Sequence, residues 1–206
     1  MAVVAGLLFL AFVYFAVGQA AVLRNGAQTA ADAAALGAVE EARSQLREGW
    51  LEVLDDPTQW QRFVRGEDYT VGRACARAAV LASLNDAESE DCVPLEFGFT
   101  VTVRSEGTVG ESIVPGTEEE QATATASAVI EPLCRFDPPE PSSDPSTEPP
   151  SDPEPTSTPS EEPEEAEPEP ISGLVCEGTP LEIDPEDPVL PDADDLFHVR
   201  LTGDDE

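Results

Sequence analysis

The chain has 206 residues, with 43 acidic and 10 basic side chains, all ten of them Arg, and a formal net charge of −33. Phosphate binding needs concentrated positive charge, so this balance argues against a nucleic-acid partner and against adsorption to anionic headgroups. Twenty Pro and 6% aromatic residues mean that part of the chain lies outside any packed core.

Met1 to Leu23 contains no charged residue, and Gln19 is its one strongly polar side chain. At 1.5 Å per residue a helix of this length spans roughly 30–35 Å, enough to cross a bilayer core. A cleaved signal peptide, with Gly18 and Ala20 before the cut, is the competing reading. The long apolar run, the lack of a basic leading flank and the helical sequence beyond it favour a retained anchor. Arg24 flanks the span on its C-terminal side, which alone would place the following domain inside. Four Cys and a Pro-rich segment outweigh that one residue, and the expected orientation is N-terminus cytoplasmic and C-terminal domain extracytoplasmic.

From Ala20 to about Asp55 the residues are strong helix formers, and residues 24–55 read as an amphipathic, Ala-rich helix continuing the span. Ala31, Ala34, Ala35, Ala38, Val39, Ala42 and Leu46 mark one apolar stripe; Arg24, Gln28, Asp32, Glu40, Arg43 and Arg47 lie largely off it. Small side chains on such a stripe allow close approach of another helix. The same stripe also suits a helix covering its own domain.

An apolar span followed by Arg24-x-x-x-Gln28-x-Ala30-Ala31-Asp32-Ala33-Ala34-Ala35-Leu36 resembles the TadE/TadG-like family of Tad (Flp) pilus assembly, over about residues 1–45. The resemblance implies a bacterial, membrane-anchored, pseudopilin-like protein with an exported C-terminal domain. Its partners would be the bilayer and other pilus-assembly or envelope membrane proteins, met through the Ala-rich helix. No prepilin-peptidase site of the pilin type is present, so an anchored accessory role fits better than a polymerising one. The alternative is a membrane-tethered extracellular binding or sensing domain unrelated to pili.

Asp56-Pro57 interrupts the long helix. Residues 56–136 then read as a small α+β exported domain. Thr58–Val64 makes a short helical turn, with Trp50, Trp60 and Phe63 as packing anchors. A helix follows over Val71–Leu84, with Ala74, Ala78, Leu81 and Ala82 on one face, and it ends in the polar run Asn85–Asp91. Period-two alternation then appears twice. Leu95, Phe97, Phe99, Val101 and Val103 alternate in the first run, and Ala122, Ala124, Ala126, Ala128 and Ile130 in the second. These are expected to pair as an antiparallel hairpin across a long loop, Ser105–Glu120, with a helix lying on the apolar face.

Cys75, Cys92, Cys134 and Cys176 allow three disulfide connectivities. Cys75–Cys92 with Cys134–Cys176 is preferred, because the first pair ties the helix to the adjoining strand. Their scatter does not suit zinc, whose structural sites cluster Cys-x-x-Cys pairs.

Asp137–Pro170 holds 12 Pro, 12 acids and no base, and reads as a disordered acidic stalk or loop. A Cys134–Cys176 bridge would make it a loop. Residues 171–206 carry two short alternating patches, one with Phe197, Val199 and Leu201 on one face, within an acidic tail. Those carboxylates match no EF-hand spacing. His198 is the single histidine, read as structural. With no nucleophile motif, phosphate loop or metal-spaced cluster, the chain reads as non-catalytic. No catalytic, cofactor-binding or metal-ligating residue, cofactor or small-molecule substrate is assigned.

Overall fold

The computed structural model describes residues 2–108, 119–137 and 170–203. The interior of the acidic Pro-rich segment, most of the expected hairpin loop and the last three residues of the acidic tail lie outside the described residues.

Helix α1 (Ala2–Glu52) is one continuous 51-residue element, about 76 Å long at 1.5 Å per residue. It takes in the apolar span and most of the expected Ala-rich helix, stopping three residues short of Asp55. It ends where the sequence supplies a stop. Pro57 opens a 3-10 turn (Pro57–Gln59), and the Asp56 carboxylate caps it by accepting from the Thr58 N–H at 3.2 Å. Helices α2 (Trp60–Val64) and α3 (Val71–Ser83) follow.

Four antiparallel strands form the main sheet in the order β1-β2-β3-β7: β1 (Ala87–Leu95), β2 (Gly98–Thr108), β3 (Gln121–Pro132) and β7 (Phe197–Thr202). A second, three-stranded sheet comprises β4 (Cys134–Phe136), β5 (Ile171–Cys176) and β6 (Thr179–Ile183). A single turn, α4 (Ala193–Leu196), leads into β7. The fold is α+β, with α1 and α3 packed on the main sheet.

Pleating sends alternate side chains to opposite faces. Phe99, Val101 and Val103 of β2 and Ala126, Ala128 and Ile130 of β3 are therefore buried together, toward α1. On the other face Thr100 pairs with Ser127 at 2.8 Å and Thr102 with Thr125 at 3.0 Å. The helix meets this sheet with its small residues. Ala30, Ala31, Ala34, Ala35, Ala38 and Ala42 are all 0% exposed, and Ala74, Ala78 and Ala82 of α3 are equally buried. Leu81 of α3 lies in contact over Gly37, and Phe63 over Gly49, where a Cβ would leave no room.

Two features differ from the sequence expectation. The polar run after α3, to which the sequence assigns no element, carries one: Ala87 begins an edge strand, β1, paired with β2 through Ala87↔Ser105 to Leu95↔Gly98. Only Ala87 of that strand is buried, so an apolar alternation never develops and the strand is invisible to periodicity. Leu95 and Phe97 also do not belong to the strand of Phe99. A two-residue turn at Glu96–Phe97 separates β1 from β2, and both apolar side chains are 41% exposed. Gly98, which opens β2, lies close against β3: a Cβ there would collide with the carbonyl of Ala128 on the adjacent strand.

The patches near the C-terminus do add strands, but to different sheets: Phe197–Thr202 extends the main sheet beside β3, while residues 171–183 build the second one. The β5–β6 turn is Glu177–Gly178, both with positive φ (50° and 85°). This is the backbone that a two-residue hairpin of matching twist requires. Arg47 fastens the approach to β7 by donating to the Pro191 carbonyl at 2.7 Å. His198 lies on the exposed outer face of β7 and packs into no core.

An enlarged residue in the Ala stripe has nowhere to go. Ala38→Leu is expected to destabilise the domain by about 1–3 kcal/mol, read as a lowered urea midpoint, whereas Ser44→Leu on the exposed side should leave it unchanged.

Candidate functional site

The sequence motif sits where α1 passes from its exposed half into the domain. In the first half Val3, Leu7, Leu8, Phe9, Leu10 and Phe15 are 63–76% exposed. Residue burial begins at Ala27. Between them Arg24 and Gln28 are exposed, and the Gln28 amide donates to Asp32 Oδ1 at 2.8 Å, one turn on. Ala30, Ala31, Ala34 and Ala35 are core residues, while Asp32, Ala33 and Leu36 are half-buried at its margin. The motif thus divides by face: its polar members point to solvent, and four of its alanines form the floor under the sheet.

This division corrects one expectation. The Ala stripe of residues 31–46 is covered by β2, β3 and α3 of its own chain, so it is not a surface on which a partner's helix can pack. The apolar side chains left uncovered on α1 belong to its first 22 residues.

All four cysteines are paired, as Cys75–Cys92 and Cys134–Cys176. The first fastens α3 to edge strand β1. The second joins facing residues of β4 and β5. In the chain-entropy picture loops of these lengths stabilise by roughly 3 and 4 kcal/mol. Asp137 N–H also bonds the Gly173 carbonyl at 2.8 Å. The described residues on either side of 138–169 therefore stand on adjacent, covalently linked strands.

A second feature was not legible in sequence. A cleft of about 570 Å³ opens between α2, the C-terminal end of β3 and β4. Its apolar lining includes Val64, Phe97, Val129, Ile130, Pro132 and Phe136, and its charged lining is Arg65, Arg135, Arg200, Glu67 and Glu131. Phe136 is held edge-on to Trp60, and Trp60 edge-on to Trp50, each with ring centroids 5.7 Å apart. These residues come from four separate stretches of chain. The one signal for them was the scarcity of Arg itself.

Within the cleft Arg200 donates to Glu131 at 2.8 Å and closes an ion pair at 2.7 Å. That hydrogen bond holds the Glu131 carboxyl below the usual carboxylate range, outweighing the opposing effect of desolvation, and the charges of Arg200 and His198 add smaller contributions in the same direction.

The class defined by these features is an α+β domain built on a helix whose uncovered half is long and apolar enough to cross a membrane. Residues 1–44 match the model of the family described as "Putative Flp pilus-assembly TadE/G-like", over that segment only. No curated protein and no solved structure matches the chain.

Because Glu131's folded pKa lies below its unfolded value, about 4.3, the pair contributes stability above that pH and loses it as pH falls through the lower folded value. The contribution is small at so accessible a site. Arg200→Gln is expected to move the Glu131 titration upward, measured by carboxyl-carbon NMR. An unchanged titration would show that the pair does not form in solution.

Proposed function

We propose that this protein is a membrane-anchored, pseudopilin-like accessory protein of Tad (Flp) pilus assembly, structural rather than catalytic, with its N-terminus cytoplasmic and its domain outside the membrane. The observation that carries this reading is the continuity of α1. The segment that matches the pilus-assembly family is also the segment in which an uncovered apolar helix becomes the central element of a folded domain. A bilayer replaces water around residues such as Leu7, Phe9 and Phe15, and burying their side chains stabilises the inserted state by about 1.5–3 kcal/mol each. The backbone of such a helix is satisfied internally, as hydrocarbon demands.

Two disulfides support the proposed side of the membrane, since such bonds persist in oxidising compartments. Because the Ala stripe is occupied, contact with other pilus-assembly membrane proteins is proposed to fall on the span, through lipid-facing side chains and the small residues Gly6 and Gly18. A Cβ at either glycine would meet open space, so each offers a close approach to another helix.

Fusion of alkaline phosphatase to Glu206 tests the orientation: the enzyme is active only outside the cytoplasm, and an active fusion is expected. An inactive phosphatase fusion alongside a fluorescent green-protein fusion would place the domain inside and overturn the proposal. In the same strains, deleting the gene is expected to reduce surface pili, counted by electron microscopy, with normal piliation contradicting the pilus role.

A further inference from the structure

Among the described residues six of the ten Arg are engaged in ion pairs: Arg43 with Glu40, Arg47 with Asp192, Arg62 with Asp68, Arg73 with Glu41, Arg104 with Glu90 and Arg200 with Glu131. Arg24, Arg65, Arg77 and Arg135 have no such partner there. Two of these four, Arg65 and Arg135, line the cleft beside α2, where Arg200 is a third guanidinium. Three cations face two carboxylates, Glu67 and Glu131, in a chain that otherwise carries about four acids for each base. Exposed guanidiniums over an apolar floor suit a ligand that combines carboxylates with flat apolar groups.

Position narrows the source. Trp50, which supports the cleft through Trp60 and Phe136, stands 27 residues beyond the end of the charge-free span at Leu23, about 40 Å along a helix. Lipid headgroups do not reach that far. An acidic peptide does, and one begins at the cleft wall. Arg135 and Phe136 line the cleft, and the chain continues from Asp137 into residues 138–169, which contain 11 Pro, 11 acids and no base.

We propose that the cleft binds an acidic, proline-rich peptide and that its occupant is the chain's own segment, residues 138–169. Carboxylates of the segment pair with Arg65 and Arg135, and its proline rings pack on Phe97 and Phe136, as aromatic-lined grooves accept proline-rich ligands. Both ends of the segment are held at the strands joined by Cys134–Cys176. Binding is therefore intramolecular and favoured by a high effective concentration.

The test uses the full chain in detergent beside a variant in which residues 138–169 are replaced by a Gly/Ser linker of equal length. A fluorescent peptide of residues 140–155 is titrated into each, with both disulfides checked by mass spectrometry. The linker variant is expected to bind the peptide, more weakly at high salt, and the unaltered chain to bind it at least about tenfold more weakly because the cleft is occupied. Arg65→Glu with Arg135→Glu in the linker variant should cost about tenfold. No binding by the folded linker variant, or binding indifferent to these two substitutions, overturns the site. Equal binding by both chains overturns the occupant. A photo-crosslinking phenylalanine at Phe97 in the otherwise unaltered chain provides a second measurement: crosslinks within one chain to residues 138–169 are expected, and crosslinks only to another molecule contradict the proposal.

Discussion

Everything in this fold depends on how closely α1 approaches the sheet. A helix carrying Leu or Phe at positions 30, 34, 35, 38 and 42 could not lie against Phe99, Val101 and Val103 with α3 packed beside it. Alanine at those positions brings the backbones together, and the bulky side chains of β2 fill the space between. Glycines do the same at Gly37 and Gly49, which receive Leu81 and Phe63. Close packing of this kind is intolerant of added volume. It gives a domain of modest size a core held at every level by one rigid rod.

That rod serves two environments. Up to Val22 the described side chains of α1 are exposed and, Gln19 apart, largely apolar, and from Ala27 its stripe is buried. The change occurs within about a turn and a half, at Leu23–Gln28, where the first charge of the chain appears. No Pro interrupts the helix before Pro57, so the domain is carried on the span without a flexible joint. In the proposed arrangement any tilt of the span is a tilt of the domain.

The elements governed by strong local rules were legible in sequence: the charge-free span, the Ala periodicity, the Pro57 stop, and alternation in β2 and β3. What escaped was set by tertiary position. Edge strand β1 is solvated and polar, so Glu88, Glu90 and Asp91 gave no strand signal. Phe97 continued an apparent alternation in sequence, and only the pairing of Leu95 with Gly98 places it in a turn. The destination of the Ala stripe was equally undetermined. Small residues at helical spacing fit a partner's helix or the chain's own sheet, and the outcome depended on β3, some eighty residues away. The Arg-lined cleft was beyond reach for a related reason: Arg65, Arg135 and Arg200 are neighbours through topology alone. The net charge of −33 therefore concealed a locally cationic surface.

The central claim is that apolar span and domain core are one uninterrupted helix. Spin labels at Leu8 and Ser44, both exposed and 36 residues apart, measure this by pulsed electron resonance on the full chain in lipid nanodiscs. Thirty-six residues are ten helical turns, so a single narrow distance near 54 Å between the two backbone sites is expected once label length is allowed for. A broad distribution centred well below that value would show a hinge between span and domain, and would contradict the account.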